Sequence, residues 1–224
     1  MPRMKAGWLG LAGGLLLLAA CAGGPGPTSQ QWALEYPPPR PEKNLALLPV
    51  ALSVARLAAA PPYTSTAMVY RPQGFQRATY TYHRWLIPPA DMVGDLLARD
   101  LRVAGGLRAV FSGREGAAAR FRLIGGVERF LEVDGPAGAR AELVLNLSLL
   151  DRRAKHLPRR LMFQRQYRAM VPMSARRARA LARALSRALA RLSRQVRHDV
   201  RQAIARRLAR ERTRKGEPSP GGRR

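Results

Sequence analysis

The side chains that most often carry enzyme chemistry are sparse in this 224-residue chain. It holds three histidines and 14 acidic residues, and it contains no G-x-S-x-G, H-E-x-x-H or G-x-x-x-x-G-K-[ST] motif. None of the histidines has a second potential metal ligand two to four residues further on, which indicates surface or structural roles for His83, His156 and His198. Asp91, Asp95 and Asp100 fall in one predicted helix, where capping and solvation explain them. We therefore predict that the chain is not an enzyme and binds neither metal nor cofactor.

The single cysteine, Cys21, lies where covalent modification is expected. It follows a basic stretch and an apolar run, which is the plan of a secretory signal, and the run is shorter than the roughly 20 residues that cross a bilayer. Residues 18–21 read L-A-A-C and resemble the bacterial lipobox, in which the thiol receives a diacylglycerol and cleavage occurs just before it. We predict a lipoprotein signal peptide over 1–20 and a lipid attachment site at Cys21, with diacylglycerol and an N-acyl chain. The alternative is an ordinary signal that ends in a lone cysteine.

Two predicted strands carry a concentration of aromatic and basic side chains. Residues 66–71 and 78–85 are β-branched and aromatic and flank a Gly-containing loop, which predicts a hairpin. Strict alternation would place Tyr80, Tyr82 and Arg84 on one face and Trp85 on the other. Aromatic residues and arginine are enriched at protein interfaces, but aromatic residues are also common in ordinary strands. The residues alone leave both interpretations open.

The chain around this hairpin divides into a tether, a domain and a tail. Residues 21–43 are rich in Gly and Pro and predict a lipidated Cys followed by a flexible tether, within which Trp32–Leu34 is either a short strand or an aromatic packed on the domain edge. Residues 44–50 predict the first strand. After the hairpin, Pro88 and Pro89 open a helix that Gly105 and Gly106 can end.

The second half of the chain predicts three long strands. A short strand is predicted over 107–111, and residues 121–134 alternate apolar and polar positions, with Gly125 and Gly126 as a bulge. The clearest alternation is formed by Leu143, Leu145, Leu147 and Leu149. Residues 161–173 alternate again, so these three runs predict an antiparallel meander.

The C-terminal region predicts one long helix from Ala175 to about Arg210, with Ser174 as its N-cap. Its apolar stripe, which ordinarily packs on a sheet, consists of Leu181, Leu185, Leu189, Leu192, Val196, Val200, Ile204 and Leu208. Residues 211–224 predict a disordered basic tail. The whole pattern predicts an α+β domain over 44–210: a mixed, largely antiparallel sheet with two helices packed against it in a two-layer sandwich.

The net charge of +26 is concentrated at the C-terminus. Residues 22–173 carry 21 basic and 11 acidic side chains, whereas residues 174–224 carry 17 and three. A basic amphipathic helix can bind anionic lipid headgroups, and the alternative is a solvated face on a helix whose apolar stripe belongs to the core. Nucleic acid is not a predicted partner, because a secreted lipoprotein does not meet it.

The order of several short motifs resembles a known family. The apolar run L-A-L-L-P-V is followed by V-Y-R at 69–71, R-W-x-x-P at 84–88 and L-A-R-D-L at 97–101. An R-L strand that ends in Phe130 and a long Ala-rich helix complete the pattern. Together with the lipobox, these features resemble the ABC-type transport auxiliary lipoproteins, the PqiC-like group, over roughly residues 32–205. The chain departs from the family at 53–62, which lacks a Leu-Asp-Arg-Pro-like stretch, and in its Arg-dense last helix.

The resemblance implies a non-enzymatic, membrane-anchored periplasmic subunit of an MCE-type lipid transport system. Its implied partners are an MCE-domain protein, an inner-membrane permease and an ATPase, and its implied role is to dock or cap the lipid conduit at the outer membrane. Residue 22 is Ala and not the Asp that retains many such lipoproteins in the inner membrane, which favours the outer membrane, although sorting rules differ between bacteria. Ring-forming MCE partners are compatible with a homo-oligomer.

Two other functions fit the same sequence. One is a structural or envelope-assembly lipoprotein, such as a lipopolysaccharide-assembly plug or a TolB-like interaction module. The other is an anionic-surface binder that uses the Arg-rich helix. If the protein is a transport subunit, we expect Tyr70, Arg71, Arg84 and Trp85 to lie near one another. They would either fix the start of the following helix or face the partner.

Overall fold

The computed structural model describes residues 28–41, 45–113 and 118–214. The predicted signal peptide, Cys21 and residues 215–224 lie outside the described residues. Nine strands form one mixed sheet: β1 Gln30–Trp32, β2 Leu48–Val54, β3 Ala58–Ala59, β4 Ala67–Arg71, β5 Ala78–Trp85, β6 Leu107–Ser112, β7 Phe121–Val133, β8 Arg140–Asp151 and β9 Leu161–Pro172. The helices are α1 Pro89–Val103, α2 Leu157–Arg160 and α3 Ala178–Arg214, with a 3₁₀ turn at Pro61–Tyr63.

The 13-residue strand β7 organises the sheet. Along one edge it pairs antiparallel with β8, which in turn pairs with β9, so the predicted meander is confirmed. Along its other edge it pairs in parallel with three different strands: β2 at its beginning, β3 in its middle and β4 at its end. The sheet therefore branches, with β6 beyond β2 on one branch and β5 and β1 beyond β4 on the other.

Two helices pack against this sheet and confirm the predicted fold class. Helix α1 lies against β6 and β7, and α3 crosses β7, β8 and β9 before touching α1 and β1. The apolar stripe of α3 is buried from Leu181 to Ile204, as its spacing predicts, and Leu208 is half-buried. Among the described residues, no helix is both long and apolar enough to cross a membrane.

The first long strand begins later than predicted. The apolar run 44–50 suggested a buried strand, but Leu47 is exposed and β2 extends from Leu48 to Val54. The buried positions of this strand are Leu52, Ser53 and Val54, which pair with residues 121–123 at the beginning of β7. Pairing with the central strand therefore decides the register, and the local run of leucines does not.

The described part of the predicted tether, residues 28–41, is packed on the domain. Strand β1 pairs in parallel with the end of β5, and the Leu34 side chain is buried in the core. The backbone N–H of Glu35 donates a hydrogen bond to Ser186 Oγ of α3 at 2.9 Å. An extended segment with few apolar residues is thus ordered by contacts that its own composition does not reveal.

A buried carboxylate joins this segment to both long helices. Asp100 of α1 was predicted to be capped or solvated, but its side chain is almost fully buried. Its Oδ2 accepts hydrogen bonds from the Tyr36 hydroxyl at 2.8 Å and the Ser193 hydroxyl at 2.6 Å, and its Oδ1 pairs with the Arg99 guanidinium at 2.8 Å. Burial, followed by the hydrogen bond to Asp100, raises the pKa of Tyr36 well above its usual range. The prediction for Asp100 was wrong because its partners are distant in sequence.

Gly125 and Gly126 mark a close approach of strands and not the predicted bulge. The register of β7 and β8 shifts between Val127 and Arg129, after both glycines. A Cβ atom on Gly125, whose φ is +148°, would lie 1.9 Å from the carbonyl oxygen of Asn146. A Cβ atom on Gly126 would lie 2.9 Å from the carbonyl oxygen of Ala58. Side chains are therefore excluded where β7 has strands close on both edges.

Helix α3 begins at Ala178 and continues to Arg214, so it starts and ends later than predicted. Its last turns are held to the sheet by Arg120, which pairs with both Glu211 of α3 and Asp151 of β8. Burial acts to raise the pKa of Asp151, but the hydrogen bonds and charge of Arg120 outweigh it and lower the pKa below its usual range. The first four residues of the predicted tail, 211–214, are therefore helical.

Replacement of Asp100 tests how far the domain depends on its buried carboxylate. Asp100→Ala removes the acceptor of two buried hydroxyl groups and the partner of Arg99, so we expect a loss of about 3 kcal/mol in the free energy of unfolding, measured in urea. The matched control is Asp91→Ala in the same helix, whose pair with the exposed Arg56 is screened by solvent and should contribute far less. Equal losses in the two variants would contradict this role for Asp100.

Candidate functional site: a binding surface on the β4–β5 hairpin

The predicted hairpin is confirmed, but it contains a wide irregularity. Ala67 is opposite Arg84 and Val69 is opposite Thr79, so two steps along β4 correspond to five steps along β5. The three additional residues of β5 form a bulge between Thr79 and Arg84. A bulge changes which side chains face the core, because it breaks the alternation of the strand.

This bulge overturns the predicted side-chain arrangement of β5. Tyr80 was expected to share a face with Tyr82 and Arg84, but its hydroxyl donates a hydrogen bond to the buried carboxylate of Glu132 at 2.6 Å. Tyr82 is 50% exposed, and Arg84 is exposed as well. Tyr80 therefore faces inwards, whereas Tyr82 and Arg84 face solvent.

The four residues proposed from sequence form two separate pairs. Tyr70 and Arg71 end β4 beside Glu132 and Val133 of β7. Arg84 lies opposite Ala67, three residues from Tyr70 along β4, which corresponds to about 10 Å. The structure therefore does not bring all four side chains into one cluster.

Trp85 belongs to the core. Its ring is almost fully buried and meets the edge of Phe130 at a centroid distance of 5.1 Å. Its indole Nε1 is buried without a hydrogen-bond partner among the described residues. These contacts assign Trp85 to the packing that precedes α1, which is the structural one of its two predicted roles.

An aromatic ladder on the inner side of the hairpin ties three strands together. Its ring centroids are 5.3 Å apart for Tyr70 and Tyr80, 5.8 Å for Tyr80 and His83, and 5.9 Å for His83 and Trp32. The Trp32 indole N–H also donates a hydrogen bond to His83 Nδ1 at 3.2 Å. A packed Trp32 and a structural His83 were among the alternatives predicted from the sequence, but the contact between them was not predicted, although the presence of Trp32 in a Gly/Pro-rich segment was a signal.

Glu132 is the most perturbed carboxyl group at the base of this ladder. Burial, assisted by the nearby Asp134 carboxylate, raises the pKa of Glu132 to about 7, and the Tyr80 hydrogen bond only partly opposes that effect. Asp134 is itself paired with Arg176 at 3.2 Å, just before α3. The raised pKa thus arises in a packed junction between the hairpin, β7 and the segment that leads into α3.

The outward side of β5 exposes the residues that could bind a protein. We define the outer patch as Tyr82, Arg84, Leu86 and Ile87. Leu86 is 55% exposed and Ile87 is 38% exposed, and the Leu86 backbone is fixed by a 2.8 Å hydrogen bond from its N–H to the carbonyl oxygen of Trp32. Exposed aliphatic and aromatic side chains beside an arginine are typical of protein interfaces. Sequence reasoning missed Leu86 and Ile87, whose signal was their position between a strand and Pro88.

The side chains exposed at the outer patch are apolar or basic and are suited to contact with another protein. Within residues 28–41, 45–113 and 118–214, no group of three or more His, Cys, Asp or Glu side chains is arranged to hold a metal ion. The branched sheet and the long terminal helix define an α+β module, on which the outer patch is an exposed apolar surface beside an arginine.

The family of this module follows from comparison with known proteins. The model of the ABC-type transport auxiliary lipoprotein component family matches residues 32–197, and the chain belongs to that family. This match confirms the resemblance inferred from the sequence motifs, and it identifies a transport auxiliary lipoprotein family of the cell envelope. The match begins at Trp32, the first residue of the aromatic ladder.

Solved structures show the same fold. The protein XCC0632 from Xanthomonas campestris, described as a DUF330 family protein, is 21% identical, with a TM-score of 0.69 over 80% of this chain and 99% of its own. An uncharacterized protein is 15% identical, with a TM-score of 0.60 over 77% of this chain and 99% of its own. A comparison with curated proteins finds no match.

Two substitutions at Trp85 separate packing from binding. Trp85→Ala should lower the free energy of unfolding by about 3–5 kcal/mol, because it leaves a cavity against Phe130. Trp85→Phe should cost less than about 1.5 kcal/mol, since it keeps most of the apolar volume and removes an unpaired N–H. Denaturant unfolding measures both values, and an Ala variant as stable as the wild type would refute the structural role.

The buried Glu132 should make stability depend on pH. Its pKa is about 7 in the folded protein against an ordinary value of 4.5, so folding is progressively penalised as the pH rises between these two values. Glu132→Gln keeps an acceptor for Tyr80 without the charge. We expect its melting temperature to exceed that of the wild type by more at about pH 8 than at about pH 5. A difference that does not change with pH would show that Glu132 is not the responsible group.

Proposed function

We propose that this chain is a non-enzymatic periplasmic lipoprotein subunit of an ABC/MCE-type lipid transport system. The observation that carries the proposal is the family match over residues 32–197, which covers the sheet, the hairpin and most of α3. In this role the protein docks or caps the lipid conduit formed by an MCE-domain protein, which works with an inner-membrane permease and an ATPase.

The proposed attachment to the membrane depends on the N-terminus. A diacylglycerol and an N-acyl chain on Cys21 would supply three acyl chains, enough for stable anchoring. Ala22 in place of the retention residue Asp supports an outer-membrane location that faces the periplasm. The packed start of the domain at β1 leaves at most the segment between Cys21 and Gln30 as a spacer from the bilayer.

We assign partner docking to the outer patch. Tyr82, Leu86 and Ile87 offer apolar area, and Arg84 can pair with an acidic group of the MCE-domain protein. The patch is rigid, because the Leu86 backbone is bonded to β1 and Trp85 is anchored in the core next to it. A preformed surface loses little conformational entropy on binding.

The proposal is tested by mild crosslinking of intact cells, solubilisation of the membranes and pull-down through a C-terminal tag. Mass spectrometry should identify an MCE-domain protein together with its permease and ATPase. Recovery of an outer-membrane β-barrel in their place would favour the envelope-assembly function and contradict the transport role. The mass of the recovered complex also tests for a homo-oligomer.

A double substitution in the outer patch, compared with a similar double substitution on β6, tests whether the outer patch binds the partner. The double variant Arg84→Glu/Leu86→Asp should reduce recovery of the MCE-domain protein at least about tenfold, as expected when an arginine and an apolar contact are both lost. The matched control is Arg108→Glu/Phe111→Asp on β6, at the opposite end of the sheet, where both side chains are also exposed. Equal losses in the two variants would show that binding does not depend on the outer patch.

A further inference from the structure

A large open groove lies between the C-terminal half of α3 and the beginning of β9, far along the sheet from the outer patch. Its volume is about 960 Å³, at the upper end of the roughly 300–1,000 Å³ of typical ligand sites. One wall is formed by α3, the opposite wall by Leu161, Met162 and Phe163, and one end by Pro158 and Arg159 of α2. We call this space the arginine groove.

The strand wall of the arginine groove is apolar at its beginning, and Arg165 of the same strand lies over the Phe163 ring at 5.5 Å. Leu161 is 41% exposed, which is high for a leucine at the start of a strand, and Met162 and Phe163 are half-buried. Ala203 and Ala209 add small apolar side chains from the helix side. The beginning of β9 therefore contributes an apolar surface, part of which the Arg165 guanidinium covers, to a groove whose other lining side chains are mostly polar or charged.

The helix wall and the α2 end are strongly basic. Six arginines line the groove: Arg206, Arg207, Arg210 and Arg214 on α3, Arg159 on α2, and Arg165 on the facing strand β9. Arg206, Arg210 and Arg214 are spaced by four residues and form a row about 12 Å long on α3. Such a row attracts an anion more strongly than any of its members alone.

The two acidic residues that line the groove are already neutralised. Asp199 pairs with Arg165 at 2.6 Å and accepts a hydrogen bond from the Tyr167 hydroxyl, while Glu211 pairs with Arg120 outside the groove. Arg207 also has partners, since it lies 3.7 Å from Asp151 and donates to the Arg159 carbonyl oxygen. Within the described residues, no carboxylate pairs with Arg159, Arg206, Arg210 or Arg214.

We infer that the arginine groove binds one anionic glycerophospholipid, with its phosphate on the arginine row and an acyl chain along Leu161–Phe163. Most of the positive charge of the groove lies on α3 and most of its apolar surface lies at the beginning of β9, which matches the two ends of such a lipid. The inference deepens the proposed function, on which it rests for the supply of lipid, by naming the lipid class. It assigns a separate site, remote from the outer patch.

Charge complementarity excludes the other occupants that this chain itself could supply. Residues 215–224 carry three basic residues and one acidic residue, so the C-terminal segment would be repelled by the arginine row. A second copy of the chain offers 14 acidic side chains against 40 basic ones, so it has little negative charge with which to complement the arginine row. An acidic, leucine-containing peptide is the remaining competitor and is distinguished by experiment.

The test uses the full-length lipoprotein purified from membranes in dodecyl maltoside, with a photoactivatable phosphatidylglycerol that carries a diazirine on one acyl chain. Mass spectrometry should locate the label on the peptide that contains Leu161–Phe163. A phosphatidylcholine probe with the same chain should label this peptide about fivefold less, because its headgroup has no net charge. Equal labelling by the two lipids would overturn the assignment to an anionic lipid.

Matched variants separate the groove from the rest of the helix. Arg206→Glu/Arg210→Glu should reduce labelling about tenfold, whereas Arg179→Glu/Arg183→Glu, with the same spacing at the other end of α3, should leave it unchanged. Arg206→Gln/Arg210→Gln removes charge without reversing it and serves if the first variant has an altered melting temperature. Equal reductions in the Glu variants would indicate general adsorption of anionic lipid on α3 and overturn the groove.

Two further outcomes complete the test. Displacement of the label by an acidic, leucine-containing peptide, but not by excess unlabelled phosphatidylglycerol, would assign the groove to a peptide and overturn the inference. Labelling in detergent needs no MCE-domain protein, so it is independent of the pull-down. Groove labelling without partner recovery would refute only the proposed transport function, and partner recovery without groove labelling would refute only the lipid site.

Discussion

The buried carboxylate of Asp100 is the contact on which the arrangement of this domain depends. It accepts hydrogen bonds from Tyr36 in the N-terminal segment and Ser193 in α3, while it lies on α1 itself. A buried charge with a missing partner is costly, so the three segments must assemble together. The N-terminal segment in turn supplies β1, whose pairing with β5 fixes the backbone of Leu86 and presents the outer patch. The position of the proposed docking surface therefore depends, through β1 and the N-terminal segment, on the buried Asp100 carboxylate.

Regular elements could be predicted from sequence, and contacts between distant segments could not. The apolar periods of α3 and of the β7–β9 meander predicted the type of these elements and their buried faces, because one buried face is enough to impose the period. Asp100 was assigned to solvent because its partners Tyr36 and Ser193 are 64 and 93 residues away. The orientation of Tyr80 was wrong because a bulge leaves no signature in an alternating sequence. Leu86 and Ile87 were missed because the Leu86 backbone is held by a hydrogen bond to Trp32, which is distant in sequence.

The two proposed binding surfaces differ in their charge and apolar area, and they suit different ligands. The outer patch combines one arginine with exposed aromatic and aliphatic side chains, which suits a protein partner. The arginine groove combines a basic wall with an apolar wall, which suits an amphiphile. The apolar stripe of α3 is buried in the core and does not enter a bilayer, so the basic residues of this helix act from its exposed side. This division assigns a specific use to the arginines in the last turns of α3.

The central claim, that the outer patch contacts an MCE-domain protein, is tested most directly by site-specific photocrosslinking in intact cells. A photoreactive amino acid replaces Arg84 on β5 in one strain and Arg108 on β6 in another, and both positions are exposed on strands at opposite ends of the sheet. The account predicts a crosslinked product that contains an MCE-domain protein from position 84 and none from position 108. The same MCE-domain product from both positions, or a β-barrel protein at position 84, would contradict it.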